Sequence, residues 1–259
     1  MRLKLWVDPY DSNGNSYGGG GNDYNTDLTL VKQAKALGMK VLIDFHLSDF
    51  WADPGTQTKP KAWVNLSFSS LQTTLYNYIK TIMNQFVADG AAPDMVQLGN
   101  EISSGILWDD GKVGSENEDF TQLAELLHQA VQGVRESNDP SAKIILHLDN
   151  GGNYSLYQWW FNGVMGCGID LDFDIIGLTY YPMWHGTLDQ LQYNMNEISK
   201  QFNKDVMIVE TAYGWTTQDG DGLGSSFSET DAETAGYPAS VNGQIQFMPE
   251  RFDKIYFNW

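Results

Sequence analysis

The chain has 259 residues, 42% of them hydrophobic and 13% aromatic, enough to bury a sizeable core within one α/β domain. Fifteen Lys and Arg stand against 33 Asp and Glu, a formal net charge of -18 that repels phosphate backbones and anionic membranes, so neither nucleic acid nor a membrane is expected as a partner. A single cysteine, Cys167, excludes an internal disulfide and a thiolate-rich metal site, and there is no run of 18 apolar residues.

Short apolar, β-branched-rich runs predict strands at Leu3 to Val7, Lys40 to Phe45, Met95 to Gly99, Lys143 to Leu148, Phe173 to Tyr180 and Asp205 to Val209. Between them, helical periodicity marks Asp27 to Leu37, Ser70 to Ala88, Glu118 to Glu136 and Leu188 to Phe202; the first stops at Gly38 and the third at Asn138-Asp139-Pro140. The alternation predicts parallel strands with right-handed crossovers, in a doubly wound sheet or a (β/α)8 TIM barrel. The first strand runs into Asp8-Pro9-Tyr10-Asp11 rather than a phosphate-binding turn, and Gly18 to Gly21 lacks the spacing of one, which disfavours the open sheet.

Polar residues follow almost every predicted strand: Asp8, His46 with Asp49, Asn100 with Glu101, His147 with Asp149, Tyr180 with Tyr181, and Glu210. A barrel gathers such ends around one mouth, where its active sites lie. Glu101 and Glu210 close their strands in equivalent positions, and two carboxyl groups flanking a bond are what glycoside hydrolysis needs, one protonated and one ionised. A solvated loop carboxylate is the ordinary fate of a single Glu, and only the paired placement argues for chemistry. Trp51, Trp63, Trp108, Tyr180, Tyr181, Trp184 and Trp215 fall in loops or just past strands; about half are expected to be structural and the rest to offer flat faces to sugar rings.

The segments LWVDPYD (Leu5 to Asp11), DFHLSDFWADPGTQ (Asp44 to Gln57), VQLGNE (Val96 to Glu101), ILHLDNG (Ile145 to Gly151), YYPMWHG (Tyr180 to Gly186) and VETAYGWT (Val209 to Thr216) resemble glycoside hydrolase family 53, the endo-β-1,4-galactanases. The resemblance implies a retaining, endo-acting (β/α)8 enzyme, extracellular and monomeric, that cuts β-1,4-galactan such as type I arabinogalactan without a cofactor for its chemistry. It implies Glu101 as acid/base, Glu210 as nucleophile and Asn100 as the contact to the sugar 2-hydroxyl. Arg2, His147 and Tyr180 match positions that orient the nucleophile, while His46, Asp49, Trp51, Trp184 and His185 match substrate-facing positions. For His46 and His147 taken alone, a satisfied core histidine is as good a reading.

Asp219-Gly220-Asp221-Gly222-Leu223-Gly224-Ser225 follows the last predicted strand, and Asp219, Asp221, Leu223 and Ser225 match a structural calcium loop; an acidic Gly-rich turn explains the segment equally well. The recognisable βα units match the second to seventh of the barrel within a single domain, 1–259, and residues 248–259 depart from the family pattern, beginning with Met248 and the helix-breaking Pro249. Six strands of eight leave exposed parallel edges, so low or no activity is expected of these 259 residues, and no secretory signal is visible in Met1 to Val7. The competing readings are a related barrel β-glycanase acting on mannan or cellulose, and a non-catalytic galactan-binding fragment.

Overall fold

The computed structural model describes residues 1–18, 21–220, 222 and 224–252. Its six long strands are β1 (Arg2–Leu5), β2 (Leu42–Phe45), β3 (Met95–Leu98), β6 (Lys143–Leu148), β7 (Ile175–Thr179) and β8 (Asp205–Glu210). All run parallel in the order β1-β2-β3-β6-β7-β8, as the βα alternation predicts, and a two-stranded ribbon, β4 (Gly105–Ile106) with β5 (Gly111–Lys112), hangs off the end of β3. Helices α1 (Tyr24–Ala36), α2 (Phe68–Ala88), α3 (Thr121–Arg135), α4 (Tyr154–Gly166) and α5 (Leu188–Phe202) supply the crossovers. Helices α6 (Glu229–Ala235) and α7 (Val241–Phe252) follow β8. None of the described helices is long and apolar enough to cross a membrane.

Alternation along each strand divides the sheet into two faces. The outward face carries Ile43, Phe45, Val96, Leu98, Ile144, Leu146, Leu148, Ile176 and Leu178, packed with the helices in one continuous core. The inward face is layered. Its floor is a small apolar cluster of Leu42, Ile145 and Ile175 with Met95, Met207 and Val209. Above the floor come Asp44, Gln97, His147 and Thr179, all buried. The sheet curls enough for its two outermost strands to meet across the mouth: Arg2 of β1 donates from Nη1 to Glu210 Oε2 of β8 at 2.7 Å. Six parallel strands in such an arc are the barrel architecture expected from the sequence.

Two expectations need correction. The helix α4 has no counterpart in the predicted elements, because its aromatic-rich sequence is apolar on most sides; its buried set Tyr157, Trp160, Phe161 and Val164 has helical spacing. Met248-Pro249 does not break the chain's last helix: α7 continues through Pro249 to Phe252. Proline there removes one donor near the helix end while its fixed φ remains helical. Residues 253–259, the rest of the tail expected to depart from the family pattern, lie outside the described residues, as do Gly19 and Gly20 of the glycine run.

Candidate active site

Glu101 owes its position to a sharp turn at the end of β3. Gly99 has φ +86°, and a Cβ built there would lie 2.5 Å from Ile102 Cγ2, so only glycine lets the chain turn this tightly. Glu101 itself is left-handed, with φ 49° and ψ 55°, and begins a single 3-10 turn, Ile102–Ser104. A non-glycine residue held there is strained, and it persists only where its surroundings fix it. Here they do: Gln57 Nε2 donates to Asn100 O at 2.9 Å and Trp160 Nε1 to Ile102 O at 2.9 Å, pinning the carbonyls on both sides.

Glu210 reaches the mouth by a different device. Leu178 pairs with Ile208 but Thr179 pairs with Glu210, so Val209 is an extra residue in β8. Simple alternation after Val209, which packs on the inward floor, would send Glu210 outward. The bulge instead keeps both residues on the inward side, where Glu210 meets Arg2.

Arg2 is the hub between these carboxylates. Besides Glu210 it donates to Asp44 Oδ2 at 2.8 Å, Asn100 Oδ1 at 2.6 Å and, through Nε, Gln97 Oε1 at 3.2 Å. Glu210 Oε1 also accepts from the Tyr181 hydroxyl at 2.6 Å. Burial alone would push Glu210 up, but the Arg2 guanidinium, the Tyr181 hydrogen bond and Lys4 outweigh it and hold the carboxyl below its ordinary range. Glu101 is in the opposite situation: burial, with the neighbouring charges of Glu210 and Asp149, pushes it up to about 7, against the Thr179 hydrogen bond and Arg2. The pair is thus split, one carboxyl built to keep its proton near neutrality and one to lose it.

The other predicted residues separate into those that face this pair and those that support it. Asn100 Nδ2 donates to Ala52 O at 2.7 Å and keeps a second hydrogen, so its amide is fixed beside Arg2 with one donor left over. His147, expected near the nucleophile, lies on the Glu101 side, with Nε2 2.8 Å from Thr179 Oγ1 and Nδ1 3.3 Å from the Glu101 backbone nitrogen. Burial, helped by Arg2, drives its pKa down to about 3 and keeps the ring neutral. Tyr180, also expected near the nucleophile, is buried; its backbone N–H donates to Glu210 O at 2.9 Å and its hydroxyl to Gly186 O at 2.9 Å. Its neighbour Tyr181 supplies the hydroxyl that meets the Glu210 carboxylate. His46 is buried, accepts the Ala52 amide at Nδ1 and lies 3.0 Å from Asp44 Oδ2 through Nε2, inside the network rather than in the cleft.

Asp49, expected to face sugar, is spent on loops: its oxygens accept the backbone amides of Asp8 at 3.0 Å and Lys61 at 2.9 Å. Trp51 is 39% exposed, with the Lys4 ammonium 4.0 Å from the centre of its ring. Trp184 is 55% and Trp215 57% exposed, while Trp63 and Tyr180 are buried, which divides the loop aromatics into surface and structural members. His185, half-buried, accepts the Tyr181 amide at Nδ1. It also borders a groove of about 610 Å³ lined by Asn150, Gly152, Tyr154, Asp189 and Tyr193, which neither carboxylate lines.

The described part of the 219–225 loop shows an acidic turn held by its own backbone. Asp219 spends Oδ1 on the Gly222 amide at 2.8 Å and Oδ2 on the Gly224 amide at 3.1 Å, and Ser225 donates to Phe227 O. Asp221 and Leu223 lie outside the described residues, and among those described no three His, Cys, Asp or Glu cluster as metal ligands.

Sequence reasoning missed Thr179, Gln97 and Asp44, and placed Tyr181 at the mouth without assigning it to Glu210. Asp44 and Gln97 were open to a rule: like His147 in β6, each is a buried polar residue one position before the strand's last residue (LI-Asp44-F, MV-Gln97-L, IIL-His147-L). A lone polar residue inside a buried strand requires partners.

An endo-beta-1,4-galactanase from Bacillus subtilis (strain 168) is 40% identical over 255 residues, 98% of this chain and 57% of that one. An arabinogalactan endo-beta-1,4-galactanase from Humicola insolens is 37% identical over 253 residues, 96% of this chain and 70% of that one. The solved GH53 catalytic domain of Ignisphaera aggregans superposes with a TM-score of 0.89 at 40% identity, covering 95% of this chain and 67% of that one. The chain therefore spans between 57% and 70% of the length of these relatives. The family model of glycosyl hydrolase family 53 matches residues 1–256, and with the inward carboxylate pair on a parallel barrel arc, the chain belongs to that family.

Proposed function

We propose that the protein is a retaining endo-β-1,4-galactanase in which Glu101 is the acid/base and Glu210 the nucleophile. The carrying observation is the opposed electrostatics of the two glutamates, one raised to about 7 by burial and one held ionised by Arg2 and Tyr181. Double displacement needs that split. Glu210 attacks the anomeric carbon while Glu101 gives its proton to the glycosidic oxygen, so the C–O bond breaks and the leaving sugar departs as a neutral alcohol. Glu101, now ionised, takes a proton from the water that releases the glycosyl–Glu210 ester. The spare Asn100 amide hydrogen suits a sugar 2-hydroxyl, and the exposed faces of Trp184 and Trp215 suit sugar rings. Galactan as substrate rests on the family and on what its relatives are named.

The test is reducing-sugar release from potato galactan, with mannan and carboxymethylcellulose alongside. Galactan cleavage that vanishes in E101Q and E210Q supports the reading. Faster turnover of mannan or cellulose, or activity surviving either substitution, overturns it.

A further inference from the structure

We infer that Thr179 is a positioning residue that decides which oxygen of Glu101 carries the transferable proton, and that it acts as the last donor in a hydrogen-bond chain of fixed direction. The inference rests on the acid/base role proposed for Glu101.

The direction follows from what each atom can do. His147 Nδ1 faces two nitrogen donors, Gln97 Nε2 at 3.0 Å and the Glu101 backbone N–H at 3.3 Å. Neither can accept a hydrogen bond, so Nδ1 must be the bare ring nitrogen and Nε2 must carry the hydrogen. The Nε2–H then donates to Thr179 Oγ1 at 2.8 Å. With that lone pair taken, the Thr179 hydroxyl hydrogen turns to Glu101 Oε1, 2.5 Å away. Upstream, Gln97 Oε1 accepts from Arg2 Nε at 3.2 Å. The Nε2–H of His147 and the hydroxyl of Thr179 therefore both point toward Glu101, while the two Gln97 amide hydrogens are shared between Asp44 Oδ1 at 2.7 Å, Gly99 O at 2.9 Å and His147 Nδ1. Gln97, His147 and Thr179 are all fully buried, so water does not compete for these bonds.

This direction has a chemical consequence. If Glu101 were protonated on Oε1, Thr179 Oγ1 would accept from both His147 and Glu101, and its own hydrogen would have no described acceptor. That cost falls on the wrong protonation isomer only. The proton is thus confined to Oε2, which takes no hydrogen bond from any described residue, and it leaves from and returns to the same oxygen. Thr179 donates to Oε1 in both charge states, and the bond strengthens as the carboxylate forms.

Two measurements without substrate test this. In protein labelled with 15N-histidine, NMR should show His147 protonated at Nε2 and bare at Nδ1 from pH 5 to 8; a proton on Nδ1 overturns the inference. In protein labelled with 13C at Glu carboxyls, with E101Q assigning the signal, the Glu101 midpoint should rise by about one pH unit in T179V, the size expected for losing one hydrogen bond to a charged group. T179S should restore the parent midpoint. An unmoved midpoint in T179V, or a shift in T179S as large as in T179V, overturns the inference. Should T179V fail to fold, the histidine tautomer in the unaltered protein and the T179S midpoint still decide. Faster hydrolysis of mannan or cellulose than of galactan would sink the galactanase reading while leaving both signals to be read. Where hydrolysis is present, the basic limb of kcat/KM must move upward in T179V by the same interval and stay in place in T179S.

Discussion

Replacing Glu101 by Gln should stabilise the protein, and only above about pH 5. The folded carboxyl titrates at about 7 against an ordinary 4.5. Between these values the folded protein still holds a proton that the unfolded chain has released. Stability from this group is therefore complete below pH 4.5, falls as pH rises toward 7, and is level above that. The interval corresponds to about 3 kcal/mol. Glutamine carries no titrating proton, is nearly isosteric, and still offers Oε1 to the Thr179 hydroxyl. The E101Q-minus-parent stability should thus be near zero at pH 4 and reach about 3 kcal/mol by pH 8, roughly 6–12 °C in Tm for a domain of this size. Asp27, pushed to about 8 by burial and by Asp23 and Asp44, gives a trend of the same sign, but it is common to both proteins and cancels in the difference. Thermal melts followed by circular dichroism at half-unit steps from pH 4 to 8.5 measure it. Parallel curves for the two proteins, or an E101Q advantage equal at pH 4 and pH 8, would refute the claim that burial holds this proton in place.

Two further outcomes follow from the geometry around the pair. In R2K a single ammonium cannot reproduce the fork that serves Glu210, Asp44, Asn100 and Gln97, so Glu210 loses much of what depresses it. The acidic limb of the pH–rate profile on galactan should move to higher pH, and an unmoved limb would show that Arg2 does not set the nucleophile's charge. G99A forces a side chain into a φ of +86° and against Ile102. It should cost about 1–3 kcal/mol in urea unfolding, and a loss within 0.5 kcal/mol, the ordinary scatter of surface changes, would refute the reading of that turn.

The strands were legible because buried parallel strands are short apolar runs with breakers at both ends, and all six fall within a few residues of the predicted positions. Glu101 and Glu210 were legible as carboxylates at strand ends. The Tyr181–Glu210 contact and Thr179 were not. Which of two adjacent tyrosines turns its hydroxyl to the Glu210 carboxylate depends on the backbone beyond β7, and Thr179 looks like any strand-forming residue. The bulge at Val209 leaves no mark in composition, yet it decides that Glu210 faces inward. Asp49 shows the converse: a carboxylate after a strand has the same pattern whether it meets a sugar or, as here, accepts two backbone amides.

The Arg2–Glu210 ion pair joins residues 208 positions apart and, in the sheet, the first strand to the last. No strand-to-strand ladder holds those two edges at that distance; the curvature of the whole sheet does. The charge state of the nucleophile is therefore a gauge of curvature. A slight flattening, spread over five strand pairings and breaking none of them, would lengthen this one contact and let the Glu210 carboxyl drift upward. Chemistry in this protein would fail by uncurling before any element unfolds.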